Sequence, residues 1–394
     1  MVSPEKTRSA SHFASPNKGE YQMKYKRPTF MEPGVPVFET NFPYGNAPMV
    51  LPVFETPITP KENFIRAGRR DNPLWVPNVF TDSQDFNPCE LATHKLGKFE
   101  AGPDFRRGSK ENYTFLDPWE NSWTWEATAQ GAMLTPGTKL LEDITDWEKV
   151  IKWQNLEEWT YREVAEKFMA EKHNPDKALS LELFQGATEM LVAFLGGYGE
   201  GMIAMAEEPE AVTDFFNCFV DEKIKFFDYL NELYPIDMVT YYDDWGTQRS
   251  TFFSPKMFDE LVYEPTKRLV DHVHSKGVMF QLHSCGNIEA FMPQIVDIGF
   301  DYLQIQRNAL DIPTLKKLYG DQIGFDVTIE GHVPNTQYTE EQMVEFARNC
   351  VDIYAKGGGY FPFILEFEPK ALWAFASELH CYSREFYDKE QGRA

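Results

Sequence analysis

The chain has 394 residues, of which 42% are hydrophobic and 15% aromatic, and it carries a formal net charge of −23. This length suits one large barrel or two ordinary domains with a substantial core. Because the charge is so negative and no basic patch interrupts it, we expect neither nucleic acid nor an anionic membrane as a partner.

The cysteine pattern and the hydropathy indicate the compartment. The five cysteines are scattered and form no CxxC pair. The first residues lack the apolar core of a secretory signal, and no apolar run is long enough to span a bilayer. We therefore predict a cytoplasmic protein without disulfides.

The N-terminal part differs from the rest of the chain. Residues 1–58 begin with a Ser-, Pro- and Lys-rich stretch and continue with a Pro-rich one, so we predict a partly irregular extension. At Thr59-Pro60-Lys61-Glu62 the pattern becomes typical of a helix start, with Thr59 as the cap. Residues 59–394 are predicted to form the main domain.

Short apolar runs alternate with amphipathic helices through this domain. Strands are predicted at residues 74–80, 237–242, 278–282, 302–306, 323–329 and 359–365. This alternation predicts a parallel sheet with helical crossovers, and the number of units favours an α/β fold of the (β/α)8 TIM-barrel type. No GxGxxG motif indicates a dinucleotide site.

Polar residues follow five consecutive predicted strands. In a TIM barrel the active site lies at the carboxyl ends of the strands, so these residues are expected to converge. They are Asp243 and Asp244, His283 and Cys285, Gln306 and Asn308, Glu330 and His332, and Glu366 with Glu368 close behind.

His283 and Cys285 are the most informative pair. Residues two apart in a strand point to the same face, and an imidazole with a thiolate makes half of a zinc site. Plainer roles remain open for the other positions. The aspartates can cap a helix, the amides can satisfy loop backbone, one of the two glutamates can be solvated, and the tryptophans near residue 120 can be core.

Several segments together resemble the uroporphyrinogen decarboxylase superfamily. They are DDWGTQ at 243–248, HSCGN at 283–287, IGFD at 298–301 and QIQ at 304–306, within a resemblance that covers roughly residues 59–380. The HxCGN element is similar to that of zinc methyltransferases that work with corrinoid proteins. DPWENSW at 117–123 and LLEDI at 140–144 look like the aryl methyl ether O-demethylase branch.

Two departures from related patterns refine the expectation. Only IRAGRR at 65–70 is near the arginine-rich signature of true decarboxylases, and its flanks differ. Coenzyme M methyltransferases are expected to place a third cysteine ligand after the last strand, where this chain has Glu366 and Glu368. The implied zinc ligands are therefore His283, Cys285 and Glu366, with Glu368 or Asp243 left open as the third. A carboxylate in place of a thiolate gives a harder ion, which is better matched to an ether oxygen.

The resemblance implies a zinc-dependent methyltransferase that moves a methyl group from a methoxylated aromatic to the Co(I) corrinoid of a partner protein. The implied cofactors are Zn²⁺ and that corrinoid, and a homodimer is left open. Alternatives are a corrinoid-to-thiol methyltransferase, a metal-free decarboxylase and a non-catalytic docking barrel. The implied proton donors are Asp243, Glu330 and His332, and the implied substrate-binding residues are Trp119, Trp123, Asp244, Gln306 and Asn308.

Overall fold

The computed structural model describes residues 24–40, 48–96, 109–129, 131–183, 185–331, 333, 336–364 and 368–393. The strands are β1 (Val37–Thr40), β2 (Met49–Pro52), β3 (Ser83–Phe86), β4 (Tyr113–Leu116), β5 (Ser122–Glu126), β6 (Gly131–Leu134), β7 (Ala178–Leu183), β8 (Met238–Tyr242), β9 (Met279–Ser284), β10 (Tyr302–Ile305), β11 (Gly324–Thr328) and β12 (Tyr360–Phe363). The helices are α1 (Pro60–Gly68), α2 (Val79–Asp82), α3 (Trp147–Val150), α4 (Tyr161–Glu171), α5 (Ala187–Leu195), α6 (Tyr198–Glu207), α7 (Pro209–Leu233), α8 (Pro255–Met257), α9 (Tyr263–Ser275), α10 (Met292–Ile298), α11 (Ile312–Tyr319), α12 (Glu340–Tyr354) and α13 (Pro369–Glu390).

The main sheet has seven parallel strands in the order β3-β7-β8-β9-β10-β11-β12. From β8 onward each strand pairs with the strand that precedes it in the chain, whereas β7 pairs with β3 across the inserted strands β4–β6. Parallel neighbours of this kind are joined by helical crossover connections. Every one of the seven strands contributes a side chain to one central cavity, so the sheet is curled around it. The α/β TIM-barrel prediction is confirmed, with seven of the expected eight strands present among the described residues.

One strand prediction at the start of the barrel is wrong, and one strand was not predicted. Residues 74–80 do not form a strand, because the Asn78 side chain accepts a hydrogen bond from Phe80 N and starts helix α2 there. The first barrel strand is β3 instead. Strand β7 was missed because Ser180 and Glu182 interrupt its apolar pattern, and both side chains line the cavity.

The predicted helix start at Thr59 is confirmed, since its hydroxyl accepts from Glu62 N at 3.1 Å. Before it, β1 and β2 pair antiparallel, and residues near the start of the described chain lie on α13. Lys24 forms an ion pair with Asp388 at 2.7 Å there. None of the helices that the structure describes combines the length and hydropathy needed to cross a bilayer.

A small antiparallel sheet, β4-β5-β6, lies against the barrel. Its strands place Phe115, Trp123 and Trp125 in the wall of the central cavity. The turn between β4 and β5 is held by Asp117, whose carboxylate accepts from Trp119 N, from Asn121 N and from Trp123 Nε1 at 2.9 Å each. The aromatic segment is therefore a fixed part of the cavity wall.

Candidate metal and substrate site

The central cavity has a volume of about 890 Å³. This is the size expected of a pocket for a small organic ligand. Polar side chains at the ends of β8 and β9 form one part of its lining, and aromatic rings form much of the rest. Such walls favour a flat ligand. The aromatic lining includes Phe86, Phe115, Trp119, Trp123, Trp153 and Phe361.

Asp244, His283 and Cys285 come together in the cavity lining. One ligand atom from each lies within 4.8 Å of the other two, and no other group of three metal-competent side chains occurs in the described ranges. Cys285 Sγ is 3.4 Å from His283 Nε2, and that nitrogen is 3.9 Å from Asp244 Oδ1. Tetrahedral zinc sites place their ligand atoms about 3.5 Å apart, so one nitrogen, one sulfur and one oxygen here fit a zinc ion.

The backbone around the loop after β9 holds these three side chains in place. Cys285 N donates to Asp244 Oδ1 at 2.7 Å, which fixes the carboxylate beside the thiol. Gly286 has φ +79°, and a Cβ atom there would lie 2.2 Å from Gly246 O. Only glycine permits this close approach of the loops after β8 and β9.

The His283 ring is oriented from two sides. Its Nδ1 lies 2.6 Å from Gln304 Oε1, and the ring of Tyr242 packs against it with centroids 4.8 Å apart. Because the Gln304 oxygen can only accept, Nδ1 carries the proton and Nε2 presents a lone pair to Cys285 and Asp244. This is the tautomer that a metal-binding histidine needs.

The surroundings of the three ligands are strongly acidic. Burial, followed by the nearby Asp244 carboxylate, raises the pKa of Cys285 to about 12. Burial and the carboxylates of Asp244 and Asp243 raise the pKa of Glu189 well above its ordinary value. A divalent cation among these groups would relieve their repulsion and stabilise the Cys285 thiolate. The donor set and its charge therefore both fit a zinc ion.

The Asp243 side chain does not line the cavity, although its place at the end of a strand suggested that it would. It is 1% exposed, and its carboxylate accepts from Thr188 N at 3.3 Å and from Glu189 N at 3.0 Å. It therefore caps the N-terminus of α5, and burial raises its pKa to about 7. Gly186 precedes the helix because a Cβ there would lie 2.2 Å from the Asp243 carboxyl carbon.

The predicted proton donor Glu330 does not line the cavity. Glu330 pairs with Arg307 at 2.8 Å and accepts from Tyr354 Oη at 2.9 Å, and it does not contribute to the cavity lining. His332 lies outside the described residues, as does the predicted ligand Glu366. Glu368 accepts from Ala371 N at 2.7 Å and caps α13.

Of the five predicted substrate-binding residues, three line the cavity and two do not. Trp119, Trp123 and Asp244 line the cavity. Gln306 Nε2 donates to Cys285 Sγ at 3.2 Å, so this side chain supports the thiol. Asn308 is exposed.

The cavity residues that the sequence did not single out include Glu189 and Asp326. Glu189 follows β7, and because the polar residues of this strand hide its pattern, the sequence did not indicate a strand end before Glu189. Asp326 is the sole charged residue in the apolar strand GFDVT, and it is 2% exposed. A single acid inside a buried strand is costly unless it has partners, and that signal was present in the sequence.

Comparison with known proteins places the chain in a family. No curated protein sequence matches it. Among solved structures, a methyltransferase from Methanosarcina mazei superposes with a TM-score of 0.54 at 14% identity, covering 84% of this chain and 99% of that one. A D-psicose 3-epimerase (12% identity, 58% and 82% covered) and a chitinase from Chromobacterium violaceum (10% identity, 55% and 83% covered) superpose with TM-scores of 0.29, too low to bear on the fold. The sequence matches the uroporphyrinogen decarboxylase (URO-D) family over residues 138–364, more than half of its length, and the chain therefore belongs to that family.

Proposed function

We propose that this protein is a zinc-dependent methyltransferase that takes the methyl group of an aryl methyl ether and transfers it to the Co(I) corrinoid of a partner protein. The observation that carries the proposal is the cluster of Asp244, His283 and Cys285 in the lining of an aromatic-walled cavity. The fold of this protein is similar to that of the methyltransferase from Methanosarcina mazei, and this similarity agrees with a methyl-transfer reaction.

In the proposed site Asp244, His283 and Cys285 hold the metal. When bound, zinc supplies Lewis-acid polarisation of the ether oxygen and makes the aryl oxygen a better leaving group. The transfer would break the methyl carbon–oxygen bond and leave that electron pair and a proton on the aryl oxygen, and the Co(I) corrinoid, as methyl acceptor, would supply the electron pair of the new bond. The role of this chain is to bind, orient and exclude water.

Asp244 replaces Glu366 as the third ligand in this proposal. Its carboxylate is held by Cys285 N, so it is already positioned beside the other two ligands. The ligand types stay the same as those expected from the sequence: one imidazole, one thiolate and one carboxylate. This set favours an oxygen-containing methyl donor over a thiol.

The aromatic wall is proposed to bind the substrate ring. The indole Nε1 of Trp119 is buried and has no hydrogen-bond partner among the described residues, although the side chain lines the cavity. A buried donor without a partner is costly, so we propose that it donates to an oxygen substituent on the ring.

The charge of the lining bears on the substrate class. Among the described residues, eight carboxyl groups and two lysines line the cavity. A porphyrinogen with several carboxylates would meet strong repulsion there, whereas a neutral or phenolic methoxyaromatic would not. Lys223, whose pKa burial lowers to about 8, is the cation with which Glu189 interacts.

Glu189 is proposed as the proton donor to the leaving oxygen. Its carboxyl group lines the cavity, and burial raises its pKa well above the ordinary value, which favours the protonated form that a proton donor needs. It takes the role that the sequence suggested for Asp243, Glu330 or His332.

The test combines metal analysis with a methyl-transfer assay. Purified protein should carry about one zinc per chain, and His283→Ala and Cys285→Ala should lose both zinc and methyl transfer while circular dichroism is unchanged. His272→Ala is the matched control, because His272 pairs with Asp228 on the outer helices at 2.8 Å. Full methyl transfer by metal-free His283→Ala protein would refute the proposal.

The same assay separates the alternatives. Carbon dioxide release without metal would indicate a decarboxylase. Methyl transfer from a methylated corrinoid to a thiol, with no activity towards methoxyaromatics, would indicate a thiol methyltransferase. Binding of a corrinoid protein without turnover would indicate a docking barrel.

A further inference from the structure

We propose that Asp326 is a positioning residue for His283 and acts through Gln304, so that a buried carboxyl group two hydrogen bonds away fixes the tautomer of the metal-binding histidine. The inference deepens the proposed function, because it rests on His283 being a metal ligand. It concerns three side chains that line the same cavity.

The sheet register places the three residues side by side. His283 pairs with Gln304 across β9 and β10, and Gln304 pairs with Asp326 across β10 and β11. In-register residues on parallel strands point to the same face, here the inside of the barrel. Gln304 therefore lies between His283 and Asp326 and can bond both.

The hydrogen bonds in this row run in one direction. Gln304 Nε2 donates to Asp326 Oδ2, and Gln304 Oε1 lies 2.6 Å from His283 Nδ1. If the Gln304 amide were reversed, its oxygen would face the carboxyl oxygen and its NH₂ group would face the histidine. The Asp326 oxygen therefore selects the amide orientation, and the amide selects the Nδ1–H tautomer.

A second amide fixes the carboxyl group itself. Gln281 Nε2 donates to the same Asp326 Oδ2 at 3.0 Å, and Thr240 Oγ1 donates to Gln281 Oε1 at 2.7 Å. Asp326 Oδ1 has no hydrogen-bond partner among the described residues. Because both donors meet at Oδ2, a proton on Oδ1 would leave the row unchanged, and the direction of the row is the same in either charge state.

This arrangement makes a prediction about which property of Asp326 matters. An asparagine side chain can present its oxygen to both glutamine amides and place its NH₂ group where Oδ1 lies. A leucine side chain offers no acceptor, so Gln304 would be free to reverse. Geometry, rather than charge, should therefore decide metal affinity.

The first experiment measures zinc affinity by competition with a chelator. Asp326→Leu and Gln304→Leu should weaken zinc binding by about 10- to 100-fold, whereas Asp326→Asn should stay within about threefold of wild type. Gln304→Leu keeps the inference testable if Asp326→Leu does not fold. Wild-type affinity in a folded Gln304→Leu protein, or equal weakening by Asp326→Asn and Asp326→Leu, would overturn it.

The second experiment reads the tautomer directly in metal-free protein. Two-bond proton–nitrogen correlations of ¹⁵N-histidine-labelled protein should show His283 protonated on Nδ1, assigned by the loss of its signals in His283→Ala. In Gln304→Leu and in Asp326→Leu the proton should move to Nε2 in part or completely. An unchanged tautomer would overturn the inference. Absence of zinc binding by wild type would instead refute the proposed function, and this experiment would still decide the role of Asp326.

Discussion

Replacing Asp326 with asparagine should stabilise the protein at alkaline pH and leave its stability nearly unchanged at acid pH. Burial is the main cause that raises the pKa of Asp326 from 3.8 to about 7, against the opposing hydrogen bonds from Gln304 and Gln281. The folded protein therefore binds a proton at this site more tightly than the unfolded chain does. The contribution of Asp326 to the free energy of unfolding is therefore greatest when its carboxyl group is protonated. This contribution is lost as the pH rises from about 4 to about 7.

The magnitude follows from the pKa. Each pKa unit between folded and unfolded states corresponds to about 1.4 kcal/mol, so the rise from 3.8 to about 7 amounts to ~4 kcal/mol in full. Between pH 5 and pH 8 the wild type should lose about 2 to 3 kcal/mol of this free energy of unfolding, and Asp326→Asn should lose none of it. Since asparagine retains the acceptor for both glutamine amides, its packing and hydrogen bonds should change little.

The assay is urea unfolding of metal-free protein at pH 5 and pH 8, with the difference between variant and wild type compared at the two values. Asp214→Asn is the control for removal of a carboxylate, because Asp214 is exposed on α7. A difference between Asp326→Asn and wild type that is equal at pH 5 and pH 8 would refute the reasoning, since the carboxyl would then have the same proton affinity in both states.

Three further substitutions have distinct expected outcomes. Trp119→Phe should raise KM for a methoxyaromatic about fivefold in steady-state assays, because one neutral hydrogen bond is lost, and kcat should stay within about twofold. An unchanged KM would contradict the role of Trp119 as a hydrogen-bond donor to the substrate. Glu189→Gln should lower kcat by about 10² or more while zinc content stays at the wild-type level, and a wild-type rate would remove Glu189 from the mechanism. Gly286→Ala should destabilise the fold by about 1–3 kcal/mol and weaken zinc binding, measured by urea unfolding and chelator competition, because its Cβ would lie 2.2 Å from Gly246 O.

The part of the site that lies within one short motif could be predicted from the sequence. His283 and Cys285 share a strand, so their spacing alone places both side chains near one point. Their convergence on a cavity also followed from the alternation of strands and helices, because parallel strands end at the same edge. The barrel fold was predictable for the same reason, although β3 and β7 were assigned wrongly or missed.

The roles of the other polar residues of the site could not be predicted, because their positions depend on contacts between segments that are distant in the sequence. Asp243 and Asp244 are adjacent and chemically identical, yet the first caps α5 and the second accepts from Cys285 N. Which of these two aspartates faces the cavity depends on where α5 begins. This helix directly follows β7, and the polar residues of β7 made that strand unrecognisable in the sequence. Asp326 was recognisable only as an acid in an apolar strand, and its link to His283 needs the three-strand register.

The central claim is that zinc held by Asp244, His283 and Cys285 is required for demethylation of an aryl methyl ether. The most direct measurement follows the absorbance of a Co(I) corrinoid protein when a methoxyaromatic is added together with zinc-loaded or chelator-treated protein. The account predicts conversion of Co(I) to the methylated cobalt form with zinc-loaded protein, no conversion after chelation, and recovery when zinc is restored. An equal rate of methylation before and after zinc removal would contradict it.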